Sequence, residues 1–326
     1  MTSLIVLQQN VADSIQKLNF PESPSSLYEP FRYLLAIGGK RMRPVLVLMG
    51  CELFEGDSNK AMNAALGVEL FHNFTLMHDD IMDKAPLRRS FATVHEKWNQ
   101  NIAILSGDAM FAKSMQLMLQ VPNNSMKPVM ELFLRTAIEV CEGQQFDMDF
   151  ESEANVDIES YLEMIRLKTA VLLGASLAVG AHIADANTSD IDHLYNFGVN
   201  LGVAFQLQDD ILDVYGDATK FGKQVGGDII SNKKTFLLLT AISQAQGLIK
   251  ESLYSLLYTP VTSATTESKV QEVISIYNKL NVREQAEQKM HELYKLALEH
   301  LDAIPVNDER KAPLRELAAS LMIREQ

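Results

Sequence analysis

Residues 58–83 read SNKAMNAALGVELFHNFTLMHDDIMD, and apolar side chains lie on nearly every face of the helix that they predict. A helix that is apolar all round belongs in the centre of a large bundle, because a surface helix keeps one polar face. Residues 191–215 have the same character. Both stretches therefore predict core helices, and both carry a cluster of aspartates near their end.

The aspartate clusters are DDIMD at residues 79–83 and DDILD at residues 209–213. On a helix, residues four apart share a face, so the first and last aspartate of each cluster point the same way. Such close carboxylates repel one another, and partial burial adds a desolvation cost, so a cation should lie between them. Mg²⁺ is suitable because it takes hard oxygen ligands and commonly bridges protein carboxylates to a substrate phosphate. The predicted metal ligands are Asp79, Asp80, Asp83, Asp209, Asp210 and Asp213.

A single cluster of this kind also fits the solvated end of a helix. Two copies, each following an apolar helix, favour a metal site, and a diphosphate is the ligand expected to complete the coordination of the metal. No Ser/His/Asp nucleophilic set is evident, and chemistry of this kind needs none.

The composition limits the class of protein. With 326 residues, 47% of them apolar, the chain can bury a large core. No uninterrupted run of about 18 apolar residues occurs, so we expect no transmembrane segment, and we expect no signal peptide. Two cysteines without metal-like spacing suit a cytoplasmic protein. The net charge of −13 argues against nucleic acid as a partner.

Almost every segment has apolar residues at the helical period, and no alternating strand with a hairpin turn is evident. The Pro-, Gly- and Asn-rich stretches between these segments are too short to be interdomain linkers. The sequence therefore predicts one all-α domain over residues 1–326, built as a single large helical bundle.

Two basic clusters stand out against the acidic background. Lys40 and Arg43 follow the Gly38–Gly39 turn at the start of a predicted helix. They fit either a solvated basic turn or an anion site at a helix start. Arg88 and Arg89 follow the first aspartate cluster, and adjacent arginines point in different directions, so these two could serve two different anions.

Three further features bear on the site. Lys168 enters an apolar run and should therefore have a buried partner. The Gly-rich charged loop 216–232, which carries Lys223, fits either a surface loop or a lid over the site. His72 lies about two helical turns before Asp79 on roughly the same face. A lone histidine on an apolar helix is usually a core residue, but this alignment favours a hydrogen bond to diphosphate.

The chain closely resembles the all-trans prenyl diphosphate synthases, of which farnesyl and geranylgeranyl diphosphate synthases are familiar members. The matching motifs are GGKRMRP at 38–44, the first aspartate cluster with Arg88-Arg89, Lys168-Thr169, Phe205-Gln206 before the second cluster, and Gly222-Lys223. They occur in the family's order and spacing between residues 28 and 240. The resemblance implies the isoprenoid synthase fold, with a central active-site cavity, and a homodimer.

The resemblance also implies substrates, a metal and a role for each matching residue. An allylic diphosphate (dimethylallyl, geranyl or farnesyl) condenses with isopentenyl diphosphate, and the six aspartates hold about three Mg²⁺ ions. The two diphosphates have separate ligands: Arg88, Lys168 and Lys223 for the allylic one, and Lys40, Arg43, His72 and Arg89 for that of isopentenyl diphosphate. Thr169 and Gln206 line the reacting carbons and stabilise the allylic cation.

Two short stretches depart from the family's pattern. After Arg89 the family usually has Gly-x-Pro-Thr, whereas this chain has Ser90-Phe91-Ala92-Thr93. A later lysine of the family usually follows Gly, whereas here Lys233 follows Asn232 and is taken as the counterpart. Both departures fall in loops and leave the metal and diphosphate residues complete.

Product length is predicted from the helix that leads into the first aspartate cluster. In the family the growing chain descends along this helix, where Phe74 is the fifth residue and Phe71 the eighth before Asp79. These aromatics fit core packing, or the floor of a product tunnel. The fourth residue before Asp79 is Thr75, unlike the aromatic of animal-type farnesyl synthases. We therefore expect a C20 product, with C15 the next choice.

Two other functions compete with this one. A terpene cyclase of similar fold keeps one aspartate-rich motif but lacks the pocket for isopentenyl diphosphate. A non-catalytic subunit of a heteromeric prenyl synthase usually loses its acidic motifs, whereas both are present here. The complete set of motifs favours an active Mg-dependent prenyltransferase.

Overall fold

The computed structural model describes residues 2–216, 226–259 and 265–322, and these residues are predominantly helical, as their periodicity predicts. The helices are α1 (Leu4–Gln16), α2 (Ser25–Ala36), α3 (Met42–Leu53), α4 (Ser58–Met82), α5 (Val94–Lys97), α6 (Gln100–Met118), α7 (Asn123–Ser152), α8 (Ile158–Ile165), α9 (Val171–Ile183), α10 (Thr188–Tyr215), α11 (Gly227–Ser231), α12 (Phe236–Gln244), α13 (Gly247–Tyr258), α14 (Thr266–Lys279), α15 (Val282–Ala303) and α16 (Asp308–Met322). The all-α prediction is confirmed.

A short β-hairpin interrupts the helices, and the sequence pattern does not predict it. Its strands are β1 (Leu87–Arg88) and β2 (Phe91–Ala92), paired antiparallel with Arg88 opposite Phe91. Arg89 and Ser90 form the turn with positive φ angles of 51° and 68°. Strands this short leave no alternation to detect, because an alternating pattern needs about four residues.

The chain divides into two compact units, each assembled from three segments. The first unit comprises Met1–Thr136, Leu172–Tyr195 and Ala303–Leu314, and the second comprises Ala137–Val171, Asn196–Asp302 and Arg315–Gln326. The assignment of residues 1–326 to a single domain stays a prediction.

Helix α4 is the central helix of the first unit, where it packs against α3 and α6. Its residues Val68, Leu70 and Phe71 are almost fully buried, which agrees with the all-round apolar pattern. Gly67 permits close packing on α6, because a Cβ atom there would lie 3.0 Å from the Ser114 carbonyl oxygen. This packing fixes the direction of α4 and hence the position of the aspartates at its end.

The second unit contains a π-helical turn, Arg166–Ala170, between α8 and α9. Two glycines make room for it. A Cβ atom at Gly143 of α7 would lie 2.2 Å from the Lys168 backbone nitrogen, and one at Gly202 of α10 would lie 2.8 Å from Ala170 Cα. Single π-turns inside helices occur frequently at functional sites, and this one carries Lys168 and Thr169.

One stretch within the described residues, Ile158–Ile183, is long and apolar enough to cross a membrane by length and composition alone. Of its most apolar window, 78% is buried inside the protein. The core helix of a soluble protein passes the same test, so this stretch is weak evidence for a membrane span.

Candidate active site

Both aspartate clusters lie at the carboxyl end of a long helix. Asp79 and Asp80 occupy the last turn of α4 and Asp83 is its C-cap, while the second cluster occupies the last two turns of α10. The helix dipole is negative at this end and disfavours carboxylates there. Each cluster therefore needs nearby cations, as the sequence predicts.

Arg88 supplies one cation to the first cluster. Its Nε donates to both carboxylate oxygens of Asp80 at 2.9 Å, its Nη2 donates to Asp80 Oδ1 at 2.6 Å, and Nη2 lies 3.8 Å from Asp79 Oδ2. Burial raises the pKa of Asp80, which is 1% exposed, and the contact with Arg88 opposes the shift. Burial lowers the pKa of Arg88, but its three aspartate neighbours raise it overall. Both carboxylate oxygens of Asp80 therefore accept hydrogen bonds from Arg88.

The outer aspartates of the first cluster, Asp79 and Asp83, have the chemistry that Mg²⁺ requires. Both offer carboxylate oxygens one helical turn apart, and the Asp79 side chain is 21% exposed. Mg²⁺ commonly takes one or two protein carboxylates and fills its other positions with water and phosphate oxygens, and the donor set of Asp79 and Asp83 fits this chemistry.

A basic pocket in the same unit forms around the Gly38–Gly39 turn. The two glycines have φ angles of 82° and 147°, which other residues rarely adopt. Arg89 Nη1 donates to the Gly38 carbonyl oxygen, and a Cβ atom at Gly39 would lie 2.4 Å from that same nitrogen. The backbone conformation of the turn thus requires glycine, and Arg89 packs directly against Gly39. Lys40 follows on the same turn, with an exposed side chain.

Arg43 and His72 meet in this pocket. Arg43 Nη1 lies 3.2 Å from His72 Nε2, and since a guanidinium can only donate, Nε2 accepts and His72 is neutral. Burial, reinforced by Arg43 and other arginines, lowers the pKa of His72 well below its usual value. Burial also lowers the pKa of Arg43 to about 10, although the Glu69 carboxylate opposes the shift. Helix α3 begins at Met42, so Arg43 lies in its first turn.

Glu69 is a member of this pocket that the sequence reasoning missed. It is 2% exposed, forms an ion pair with Arg41, and accepts from Asn73 Nδ2 at 2.8 Å. Arg41 also donates to the Leu35 carbonyl oxygen at 2.5 Å. A carboxylate inside an otherwise apolar helix is the signal that could have revealed it, because such a group requires a buried partner.

The aromatic residues before the first cluster belong to a larger group. Phe74 stacks on Phe111 of α6 with ring centroids 5.1 Å apart, and Phe71 contacts Phe74, Phe111 and Phe133. Phe71 is fully buried, whereas Phe74 is partly exposed. The Thr75 hydroxyl donates to the His72 carbonyl oxygen at 2.8 Å. Phe111 was not predicted, because its distance in the chain from the first cluster gives no signal.

In the second unit, Lys168 has the partner that its apolar surroundings predict. Its Nζ lies 2.5 Å from Asp147 Oδ2 on α7, and both side chains are about one fifth exposed. Thr169 is the next residue of the same π-turn and is partly exposed. Asp147 was missed, although the acidic stretch FDMDF in the middle of a predicted helix offered a hint.

Asp210, the middle aspartate of the second cluster, is bound to Tyr161. The Tyr161 hydroxyl donates to Asp210 Oδ2, and Gln206 Nε2 lies 3.5 Å from Asp210 Oδ1. Burial, with a smaller contribution from the Asp228 charge, raises the pKa of Asp210 to about 7, while Tyr161 and Lys233 oppose this shift. The sequence pattern gave no reason to single out Tyr161.

Asp213 accepts a hydrogen bond from the backbone N–H of Asp228 at 2.9 Å, and so it anchors the start of α11.

The two adjacent lysines beyond this helix have different surroundings. Lys234 Nζ donates to the Phe150 carbonyl oxygen at the end of α7, whereas the charge of Lys233 acts on Asp210. This favours Lys233 over Lys234 as the site residue. Lys223 lies outside the described residues, and so does most of the loop 216–232 that the sequence suggested as a lid.

Each unit therefore groups its own predicted residues. The first brings together the first aspartate cluster with Arg88, and Arg43 with His72 and Arg89 around the glycine turn. The second brings together Gln206, the second aspartate cluster and Lys233, with Lys168 on Asp147. That both groups serve one site stays a prediction.

Comparisons with known proteins agree with the motifs. Residues 24–277 match the family described as Polyprenyl synthetase. A geranylgeranyl diphosphate synthase of Sulfolobus acidocaldarius is 40% identical over 237 residues, which cover 72% of each chain. A short chain isoprenyl diphosphate synthase of Methanothermobacter thermautotrophicus is 35% identical over 291 residues, 89% of this chain and 88% of that one. A crystal structure of a geranylgeranyl pyrophosphate synthase has a TM-score of 0.95 at 39% identity and covers 100% of both chains. The family predicted from the motifs is confirmed, and the chain belongs to the polyprenyl synthetase family of prenyltransferases.

Proposed function

We propose that this enzyme condenses isopentenyl diphosphate with an allylic diphosphate, head to tail and in the trans geometry, to give geranylgeranyl diphosphate (C20). Farnesyl diphosphate (C15) is the alternative product. The relatives at 35–40% identity support a short-chain product.

One observation carries the proposal. Arg88 and Arg89 are adjacent, yet Arg88 binds Asp80 of the first aspartate cluster and Arg89 binds the carbonyl of Gly38 in the basic pocket. A β-turn between two strands reverses the chain and so sends neighbouring side chains to different surroundings. This supports two separate diphosphate sites, one beside the aspartates and one at the glycine turn.

The allylic diphosphate belongs at the aspartates. The aspartates of the two clusters would hold Mg²⁺, about three ions in all, because carboxylate oxygens are the protein ligands that Mg²⁺ prefers. When bound, the metal neutralises charge on the leaving diphosphate. Arg88, Lys168, Lys223 and Lys233 would add positive charge to the diphosphate, which would favour C–O bond cleavage without a general acid.

Isopentenyl diphosphate belongs in the pocket of Lys40, Arg43, His72 and Arg89. Burial, with a smaller contribution from the charge of Arg89, lowers the pKa of Arg43 to about 10, and burial with the charges of Arg41 and Arg88 lowers the pKa of Arg89. An anion bound in the pocket would offset the repulsion between these guanidiniums. Its binding there would orient the double bond toward the allylic cation.

The remaining step is carbon–carbon bond formation. The isopentenyl double bond attacks C1 of the allylic cation as the C–O bond to diphosphate breaks. A proton then leaves C2 of the former isopentenyl unit for the released diphosphate, and the chain is five carbons longer. Thr169 and Gln206 would place oxygen atoms near the cation. Phe74, with Phe71 behind it, would limit the length of the product.

We further propose that the protein is a cytoplasmic homodimer.

The test is an assay of the purified protein with Mg²⁺, isopentenyl diphosphate and each allylic starter in turn. We expect C20 as the main product by chromatography, and products of C30 or longer would contradict the role of Phe74. Hydrocarbon from farnesyl diphosphate alone would indicate a cyclase. Turnover that is lost in Asp79→Ala would exclude a non-catalytic subunit.

A further inference from the structure

Lys269, on α14 of the second unit, is a buried lysine that the proposed reaction does not use. It is 5% exposed, and its Nζ donates to Asn232 Oδ1 at 2.6 Å. No carboxylate pairs with it among the residues that the structure describes. A buried ammonium held only by a neutral amide is costly, because its desolvation is poorly compensated. Burial accordingly lowers the pKa of Lys269. A contribution to stability therefore does not explain why a lysine occupies this buried position.

Its partner Asn232 ends α11 in the left-handed conformation, with φ of 56°. Glycine, which the family usually has before the later lysine, adopts this conformation without strain, and asparagine tolerates it. Asparagine adds two tertiary hydrogen bonds that glycine cannot make. Besides accepting from Lys269, its Nδ2 donates to the Leu257 carbonyl oxygen at 3.0 Å. Asn232 thus ties this turn, which we call the tethered turn, to α13 and α14 by side-chain hydrogen bonds.

The tethered turn is joined to the second aspartate cluster. The Lys233 backbone N–H donates to the Asp228 carbonyl oxygen at 2.9 Å, and the Asp228 N–H donates to Asp213 Oδ2 at 2.9 Å. Asp228, Asn232 and Lys233 line one small cavity together with Val273 and Tyr277 of α14, the helix that carries Lys269.

We propose that Lys269 is a positioning residue that acts through Asn232, fixing the turn that places Lys233 beside the second aspartate cluster. This rests on the proposed function, in which Lys233 binds the allylic diphosphate. Lys269 itself touches neither substrate nor metal. The tether keeps Lys233 in place before the substrate arrives, so less free energy is lost in ordering it on binding.

The first test is Lys269→Met, which keeps an unbranched side chain of nearly the same length and removes the donor. We expect the KM for the allylic diphosphate and the Kd for Mg²⁺–pyrophosphate, measured by calorimetry, to rise about tenfold. The KM for isopentenyl diphosphate should stay within about twofold, since its pocket is built from other residues. The matched control is Lys279→Met, an exposed lysine on the same helix, which should leave every constant unchanged.

The second test is a double-mutant cycle. Asn232→Gly keeps the left-handed turn and removes the tether, so it should reproduce the effect of Lys269→Met. The double variant should be no worse than Asn232→Gly alone, because both changes remove one interaction. Additive effects, or constants equal to wild type in both variants, would overturn the proposal. If Lys269→Met is unfolded, as shown by loss of its helical circular dichroism, the allylic KM and the Kd for Mg²⁺–pyrophosphate of Asn232→Gly test the proposal instead.

The two proposals can fail separately. If the wild-type protein makes no prenyl product, the proposed function fails. In an active enzyme, an unchanged allylic KM in both variants removes only the role of Lys269.

Discussion

The two aspartate clusters are nearly identical in sequence and lie at equivalent ends of two core helices, yet their middle residues have different partners. Asp80 is held by the guanidinium of Arg88, a permanent cation, whereas Asp210 is held by the phenol of Tyr161, which is neutral. Both carboxyls are almost completely buried, and burial raises the pKa of each. The first cluster therefore has part of its charge balanced by a nearby arginine, while the second depends on Lys233 and on what binds there.

In both clusters the middle aspartate is buried and accepts hydrogen bonds from a side chain elsewhere in the chain, so it anchors the end of its helix. That the clusters hold a metal stays a prediction. We expect the loss of stability on mutation to differ between the clusters, because the middle aspartate is bound by a cation in the first and by a neutral phenol in the second.

The largest effect is expected from removing an outer aspartate. Asp79→Asn and Asp209→Asn should each lower kcat/KM by about 10³-fold, because a metal that balances the leaving diphosphate loses a charged ligand. The measurement is steady-state turnover over a series of Mg²⁺ concentrations, since a weakened metal site should recover part of its activity at high Mg²⁺. The exposed Asp13→Asn on α1 is the control. Activity above one tenth of wild type would contradict the assignment.

Breaking the two anchors should give unequal losses of stability. Arg88→Met leaves the buried Asp80 charge without its cation and should cost about 3 kcal/mol of unfolding free energy, the lower end for a buried pair because Arg88 is 22% exposed. Tyr161→Phe removes one hydrogen bond to Asp210 and should cost about 1–2 kcal/mol. Urea denaturation measures both.

A compensating change sharpens this comparison. In the double variant Asp80→Asn/Arg88→Met the buried charge is gone, so part of the stability should return. Equal losses in Arg88→Met and Tyr161→Phe would mean that the two anchors are equivalent and that the comparison is wrong.

The helices before the two clusters also differ. At the fifth residue before each cluster, α4 has Phe74 and α10 has Ala204; at the eighth, α4 has Phe71 and α10 has Leu201. Phe74→Ala should therefore lengthen the product by at least one C5 unit, because it removes the ring proposed as a floor. Leu201→Ala also removes core volume and should lower stability without lengthening the product. Chromatography of the products decides, and an unchanged length in Phe74→Ala would place the floor elsewhere.

Much of the fold and site follows from the sequence because its signals are local. The all-round apolar helix of residues 58–83 and the motif order were sufficient for an all-α fold and for the family. Other features depend on residues far apart in the chain. Tyr161 and Asp147 become site neighbours only through helix packing, and no short-range pattern marks them. The π-turn at Lys168 arises in a stretch whose periodicity predicts an ordinary helix. The buried ion pair of Glu69 could have been predicted, because a carboxylate among apolar residues is itself a signal in the sequence.

The smallest expected effect is a dependence of stability on pH that arises at His72 in the first region. Burial and the neighbouring arginines lower the pKa of His72 well below its usual value. Below about pH 6.5 the unfolded chain protonates this imidazole and the folded protein does not, so the unfolded state binds more protons and stability falls as pH falls. The contribution of Asp210 runs the other way, because a carboxyl whose pKa is raised to about 7 on folding weakens the fold as pH rises toward that value.

The variant His72→Gln isolates the first contribution, since a glutamine oxygen can accept from Arg43 and does not titrate. Between pH 6.5 and 5.5 the wild type should lose about 1 kcal/mol more unfolding free energy than His72→Gln. Urea denaturation at several pH values gives the two slopes, and His291→Gln, at an exposed histidine, is the control. Equal slopes in wild type and His72→Gln would mean that His72 takes up a proton in the folded protein. The Arg43–His72 contact would then have to break in acid, because both groups would be cations.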